Sequence, residues 1–253
     1  MSFEELFAPK TCRGHPKIPE GTRVRDIIRS VQELLEIRPV ASAQFLRNNT
    51  EVECENDFHK ALPYCGYVCR DGPWKGALIR HGIDPRSDPK YRMLQTIYLP
   101  INCDPIIFGS EGTHNLLVGF PGHRGPRKDC HLFDGQGITA GVQSWQLCDL
   151  VDDQLARIVA TEKLRAFPCK ETGFFFSGTW AKLWEIMGDK IICLRDNCPL
   201  LLDDYERLLS FPDEYRHCGK SDFIRYGVPF GEADTRKTAF LRHVILKRAV
   251  SSR

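Results

Sequence analysis

The chain of 253 residues contains no run of eighteen apolar residues, which excludes a membrane-spanning helix of the usual kind. It has no secretory signal either, since Glu4 and Glu5 stand where a basic and then apolar segment would begin. The expected compartment is reducing, so the eleven cysteines are expected as free thiols. No C-x-x-C pair occurs. The nearest approaches are Cys65/Cys69, Cys193/Cys198 and His217-Cys218, whose spacing suits buried thiols better than a four-ligand zinc knuckle. A P-loop, an H-E-x-x-H and a nucleophile elbow are also missing. His114, His123, Cys130, His131 and Asp134 share one loop-rich stretch but fit exposed loop better than a nucleophile–base pair. No enzyme, cofactor, metal or small-molecule substrate is therefore expected.

Charge of either sign is not in large excess. The formal net charge is +2, which by itself selects no partner; its distribution says more. Residues 70–92 hold six basic side chains, Arg70, Lys75, Arg80, Arg86, Lys90 and Arg92, against three acidic ones, Asp71, Asp84 and Asp88. Two further basic clusters lie at Arg124 to Lys128 and near the C-terminus. A hydrophobic fraction of 42% and a charged fraction of 27% are ordinary for a folded chain.

Periodicity and punctuation divide the chain. Residues 1–22, with Pro9, Pro16, Pro19 and Gly21, form an extended leader. Val24, Ile27, Ile28, Val31, Leu34 and Leu35 follow helical spacing up to Pro39. A short helix is expected over roughly 41–47, and another from about 56 to 70, interrupted by Pro63 and ended by Gly72-Pro73. Strands over 75–81 and 92–101 then flank a turn at Asp84-Pro85. Three helices and a two-stranded wing make residues 23–101 a winged helix-turn-helix core. Residues 102–141, dense in glycine, form a loop-rich insertion with strands near 115–120 and 131–133. Residues 142–253 complete the same domain with helices, the last of them basic. The expected fold class is α+β.

In order and at similar spacing, several segments resemble the DNA-binding domain of subunit five of general transcription factor IIIC. They are Arg38-Pro39, Leu62-Pro63-Tyr64, Gly72-Pro73-Trp74-Lys75 and Gly82-Ile83-Asp84-Pro85-Arg86, then His131 to Gly135, Trp145 to Leu150 and Cys169 to Phe174. The resemblance covers about residues 20 to 190. It implies a winged-helix protein of the RNA polymerase III machinery, nuclear, partnered by the factor's other subunits. It also implies contact with duplex DNA at the A-box promoter of transfer RNA genes. Family members usually carry an N-terminal dimerisation barrel, for which the leader is too short, and many end in an acidic tail where this chain is basic. Ala41 also replaces the usual aromatic.

The expected nucleic-acid contacts are Lys60 and Arg70 at the ends of the recognition helix, with Lys75, Arg80, Arg86, Lys90 and Arg92 on the wing. Arg86 has two roles open to it, reaching phosphate or pairing with Asp84 or Asp88. Asn56 and His59 are candidates for base readout. Pro63, Gly72, Pro73, Trp74, Asp84 and Pro85 are structural, with Trp74 packing the wing on the helices. Five phosphate contacts at about −0.9 each imply a log–log salt slope of roughly −4 to −5. The alternative is a winged helix that scaffolds a transcription complex without touching DNA.

Overall fold

The computed structural model describes residues 1–5, 7–11, 22–99, 123–124, 129–139, 142–214 and 236–251. Helix α1 (Arg23–Ile37) buries Ile27, Val31 and Leu35, which share one face at four-residue spacing. It stops where Pro39 pushes Arg38 out of the helical region. Strand β1 (Val40–Ala41) leads into α2 (Ala43–Asn49), where the Phe45 N–H donates to the Ser42 hydroxyl at 3.1 Å, a helix cap. Helix α3 (Glu55–Cys65) is continuous, with Pro63 in its last turn. It therefore ends earlier than the expected stop at Gly72-Pro73. Gly66 takes the chain straight into strand β2 (Gly66–Val68), and a Cβ at Gly66 would stand 2.2 Å from the Ile79 carbonyl oxygen. Strand β3 (Leu78–Arg80) lies between β1 and β2 in an antiparallel sheet, with Val40 and Tyr67 both opposite Ile79. Helices and sheet in this order form a winged helix whose wing is the loop from Cys69 to Ala77.

That placement corrects the expected wing. Residues 75–81 and 92–101 do not pair with each other. Asp84 and Asp88 each accept a backbone N–H two residues on, from Arg86 and Lys90. These caps start consecutive 3-10 turns at Pro85–Ser87 and Pro89–Leu94, so the chain leaves the sheet instead of folding back on it. Strand β4 (Thr96–Tyr98) pairs instead with β7 (Ser144–Gln146). Between them in sequence, β5 (His123–Arg124) and β6 (Ile138–Thr139) pair in parallel.

The second half adds α4 (Asp153–Val159), the hairpin of β8 (Leu164–Cys169) and β9 (Gly173–Phe175), then α5 (Ser177–Arg195), α6 (Leu202–Leu209) and α7 (Arg236–Ser251). Within the glycine-rich stretch, Phe133 and Ile138 are buried with Trp145 in the core of this half; the strand expected over 115–120 lies outside the described residues. Helix α7 buries Leu241, Ile245, Leu246 and Ala249. Its Lys237 bonds Asp189 at 2.7 Å, and its Arg248 bonds Glu185 at 2.5 Å and covers Trp184 at 3.4 Å. Much of the basic character of this helix is spent on packing.

Strand alternation divides the sheet's side chains between two cores. Ala41 and Leu78 join Cys65 against α1–α3, while Val40, Ile79 and Tyr67 join Trp74, Tyr91 and Phe174 on the other face. The halves are locked by Arg38, whose side chain is 11% exposed and whose two Nη atoms bond the Asp149 carboxylate at 2.9 and 2.7 Å. Gln146 accepts a third Arg38 N–H at 2.6 Å and donates to the Val40 and Leu94 carbonyls. Removing one partner strands a buried charge. Asp149→Ala should therefore destabilise the fold by about 3–5 kcal/mol, measured as a shift of the urea midpoint.

Candidate nucleic-acid interface

The wing is a short, tightly bonded turn. Lys75 N–H donates to the Gly72 carbonyl at 3.1 Å, Gly76 N–H to Cys69 at 3.0 Å, and Ala77 N–H to Trp74 at 3.1 Å. Gly72 has φ +79°, and the Phe3 ring occupies the space a Cβ would need. Trp74 is buried, but on the sheet face away from α1–α3 rather than against the helices as expected, its Nε1–H donating to the Tyr91 carbonyl at 3.3 Å and its ring edge-on to Phe174. Pro73 is buried beside it and accepts the Thr96 N–H at 2.6 Å.

Residues 1–5 brace the same loop. The Phe3 N–H donates to Asp71 at 2.6 Å, the Ser2 hydroxyl donates to the same carboxylate, and Lys170 pairs with it at 3.1 Å. The Phe3 N–H is the foremost cause holding the Asp71 carboxyl below the usual carboxylate range. Lys170 was not foreseen, because it arrives on the β8–β9 turn about a hundred positions later in the chain.

The seven expected cations fall into three groups. Arg70 and Lys75 are exposed on the wing, with no carboxylate partner among the described residues. Lys60 is exposed on α3 and reaches Asp57 only at 3.7 Å; Asn56 and His59 are exposed on the same helix. The rest do not ride on the wing. Arg80, on β3, pairs with Glu36 of α1. Lys90 pairs with Asp88 at 3.2 Å and lies over Tyr91. Arg92 is partly buried and donates to the Pro89 carbonyl at 3.4 Å. Arg86 is enclosed: its side chain is 16% exposed, it chelates Asp84 at 2.9 and 2.8 Å, and it donates to the Phe3 and Glu5 carbonyls. Of its two open roles, the structure shows the pairing with Asp84. In the remaining basic cluster, residues 125–128 lie outside the described residues.

Among the described residues no group of three or more His, Cys, Asp or Glu side chains is arranged to hold a metal, and no helix is long and apolar enough to cross a membrane. Cys65 and Cys69 point into different cores, and burial pushes the Cys69 thiol up to about 11.

Residues 8–99 match the family model Tau95, described as the RNA polymerase III transcription factor (TF)IIIC subunit HTH domain. A solved structure, Sfc1-DBD, superposes with a TM-score of 0.66 at 25% identity, covering 84% of this chain and 96% of its own. The chain is similar to the DNA-binding domain of a transcription factor IIIC subunit. Transcription factor tau subunit sfc1 of Schizosaccharomyces pombe is 28% identical over 185 residues, 73% of this chain and 36% of that protein. General transcription factor 3C polypeptide 5 of Mus musculus is 34% identical over 73 residues, 29% of this chain and 14% of that protein. The chain thus spans about a third of the sfc1 length and much less of the mouse protein's. This relationship agrees with the winged-helix α+β fold, and the matched family is a transcription factor subunit.

Asp84 and Arg86 generate a pH prediction. Burial works against ionising Asp84, but the Arg86 side chain and backbone N–H outweigh it and hold the carboxyl below its ordinary value. A depressed folded pKa gives stability that is present above the unfolded value of about 4 and is lost as pH falls through the folded value. Arg86→Ala should therefore lower the melting temperature at pH 7, and the gap to the unaltered chain should narrow below about pH 4. The same variant should keep the full salt dependence of duplex binding. Trp74→Ala should cost about 3–5 kcal/mol in urea melts.

Proposed function

We propose that this chain binds duplex DNA through its wing and α3, as the DNA-binding module of a transcription factor IIIC subunit. In this reading it works in the nucleus with the factor's other subunits, and its target is the A-box promoter of transfer RNA genes, as the family resemblance implies. The observation that carries the proposal is the state of the wing. Arg70 and Lys75 stand exposed without a carboxylate partner among the described residues, on a turn that is held rigid from beneath by Trp74 and from the side by Asp71. Phosphates supply the missing counter-charge, and a preformed loop pays little ordering entropy to meet them.

The revised charge inventory changes the expected strength. With Arg70, Lys75 and Lys60 as phosphate contacts, the log–log salt slope becomes about −2 to −3 rather than −4 to −5. Binding by this module is then modest and mostly non-specific, on the order of micromolar or weaker at physiological salt. Arg70→Ala with Lys75→Ala should reduce the slope by about 2 and weaken duplex binding at low salt, read by fluorescence anisotropy with a labelled duplex.

One observation favours the second reading, a protein-interaction module. Asp84 and Asp88 neutralise Arg86 and Lys90, and this shrinks the positive surface. Titration separates the two readings: a scaffold shows no salt-dependent duplex binding even at low ionic strength.

A further inference from the structure

The described residues include four strongly exposed aromatics, Phe7, Tyr98, Phe167 and Phe240. Of these, Tyr98 alone has a cation of the described residues over its ring, the Lys75 ammonium of the wing at 5.9 Å from the ring centroid. Strand alternation explains the exposure, since Ile97 and Leu99 turn into the core on either side of it. The ring is not loosely held. Its hydroxyl donates to Gln143 Oε1 at 2.9 Å, and its backbone pairs with Ser144 across the ribbon. The ribbon is in turn bolted to the wing, because Thr96 N–H donates to the Pro73 carbonyl at 2.6 Å. Wing and ribbon therefore present one continuous, preordered patch that combines positive charge with an amphipathic ring.

This arrangement suits a sugar–phosphate backbone. A phosphate neutralised by Lys75 brings its own deoxyribose to the neighbourhood of the Tyr98 ring, and an aromatic face covers such a ring without needing a charge. We propose that Tyr98 is a contact residue of the nucleic-acid interface, packing on the deoxyribose beside the phosphate bound by Lys75. The interface then extends from the wing onto the β4–β7 ribbon. This rests on the DNA-binding reading above. It is salt-independent where the Lys75 contact is salt-dependent, and that difference makes the two separable.

The test is duplex binding by the whole chain across a salt series. Tyr98→Ala, and Tyr98→Thr as a strand-compatible second variant, should each weaken binding about five-fold or more, from the apolar contact area lost with the ring, with an unchanged salt slope. Tyr98→Phe should retain most of the affinity, because the ring and not the hydroxyl makes the contact. Lys75→Ala should lower the slope by about 0.9, and Phe240→Ala, on α7, should bind as the unaltered chain does. Thermal melts identify any variant that has lost its fold, and the other Tyr98 variant then decides. Wild-type affinity in a folded Tyr98→Ala or Tyr98→Thr overturns the proposal while leaving the wing reading intact. A Tyr98 effect seen on single-stranded but not duplex DNA overturns it as well. No binding by the unaltered chain at low salt overturns both readings together.

Discussion

One guanidinium stands between the two halves of this molecule. Arg38 follows the first helix and precedes a proline, so its backbone is extended and its side chain runs over α2 toward the second half. There it meets Asp149, which is 5% exposed, and Gln146, and it stacks 4.2 Å from the Phe45 ring. Gln146 also takes up two backbone carbonyls from the first half and the Ser42 N–H. A charge taken out of water this far is tolerable only when it is paired and hydrogen-bonded, and three Arg38 Nη bonds meet that need although its Nε is buried without a partner among the described residues. The network therefore leaves the halves little freedom to slide, and it fixes which face of the three-stranded sheet the second half covers.

The wing inherits its geometry from that contact. Trp74 enters a core built by both halves, with Tyr91 from the first and Phe174 from the second. The ribbon that flanks the wing joins residues 96–98 to residues 144–146. In many winged helices the β-hairpin projects freely; here it is bedded against a second layer, and only its outer surface meets solvent.

Ion pairing then sorts the cations by availability. A long exposed pair such as Lys60 with Asp57, 3.7 Å apart, contributes about 0–1 kcal/mol and can exchange its carboxylate for a phosphate. Arg86 cannot, because releasing it strands Asp84 and leaves the Phe3 and Glu5 carbonyls without their donor. The abundance of basic residues between 70 and 92 thus overstates the positive surface. Arg70 and Lys75, on the wing, have no acid partner among the described residues.

Helices α1 and α2 were legible in the chain because each rests on neighbours within a few positions. A helical stripe and a proline that bars the α region act locally. Asp84-Pro85 shows where such reasoning stops. The same two residues suit a hairpin turn or the cap of a 3-10 turn, and only the partner strand decides between them. That partner came from Gly66–Val68 on one side and Val40–Ala41 on the other, because Leu78 and Ile79 each needed a separate core to enter. Sequence alone determined the local elements, the family resemblance and the richness in basic side chains, since these are properties of residue type and short spacing. Tertiary structure decided which strand pairs with β3, which arginines are enclosed, and that Tyr98 stands beside Lys75, because hydrogen-bond partners and counter-charges are chosen across long stretches of chain.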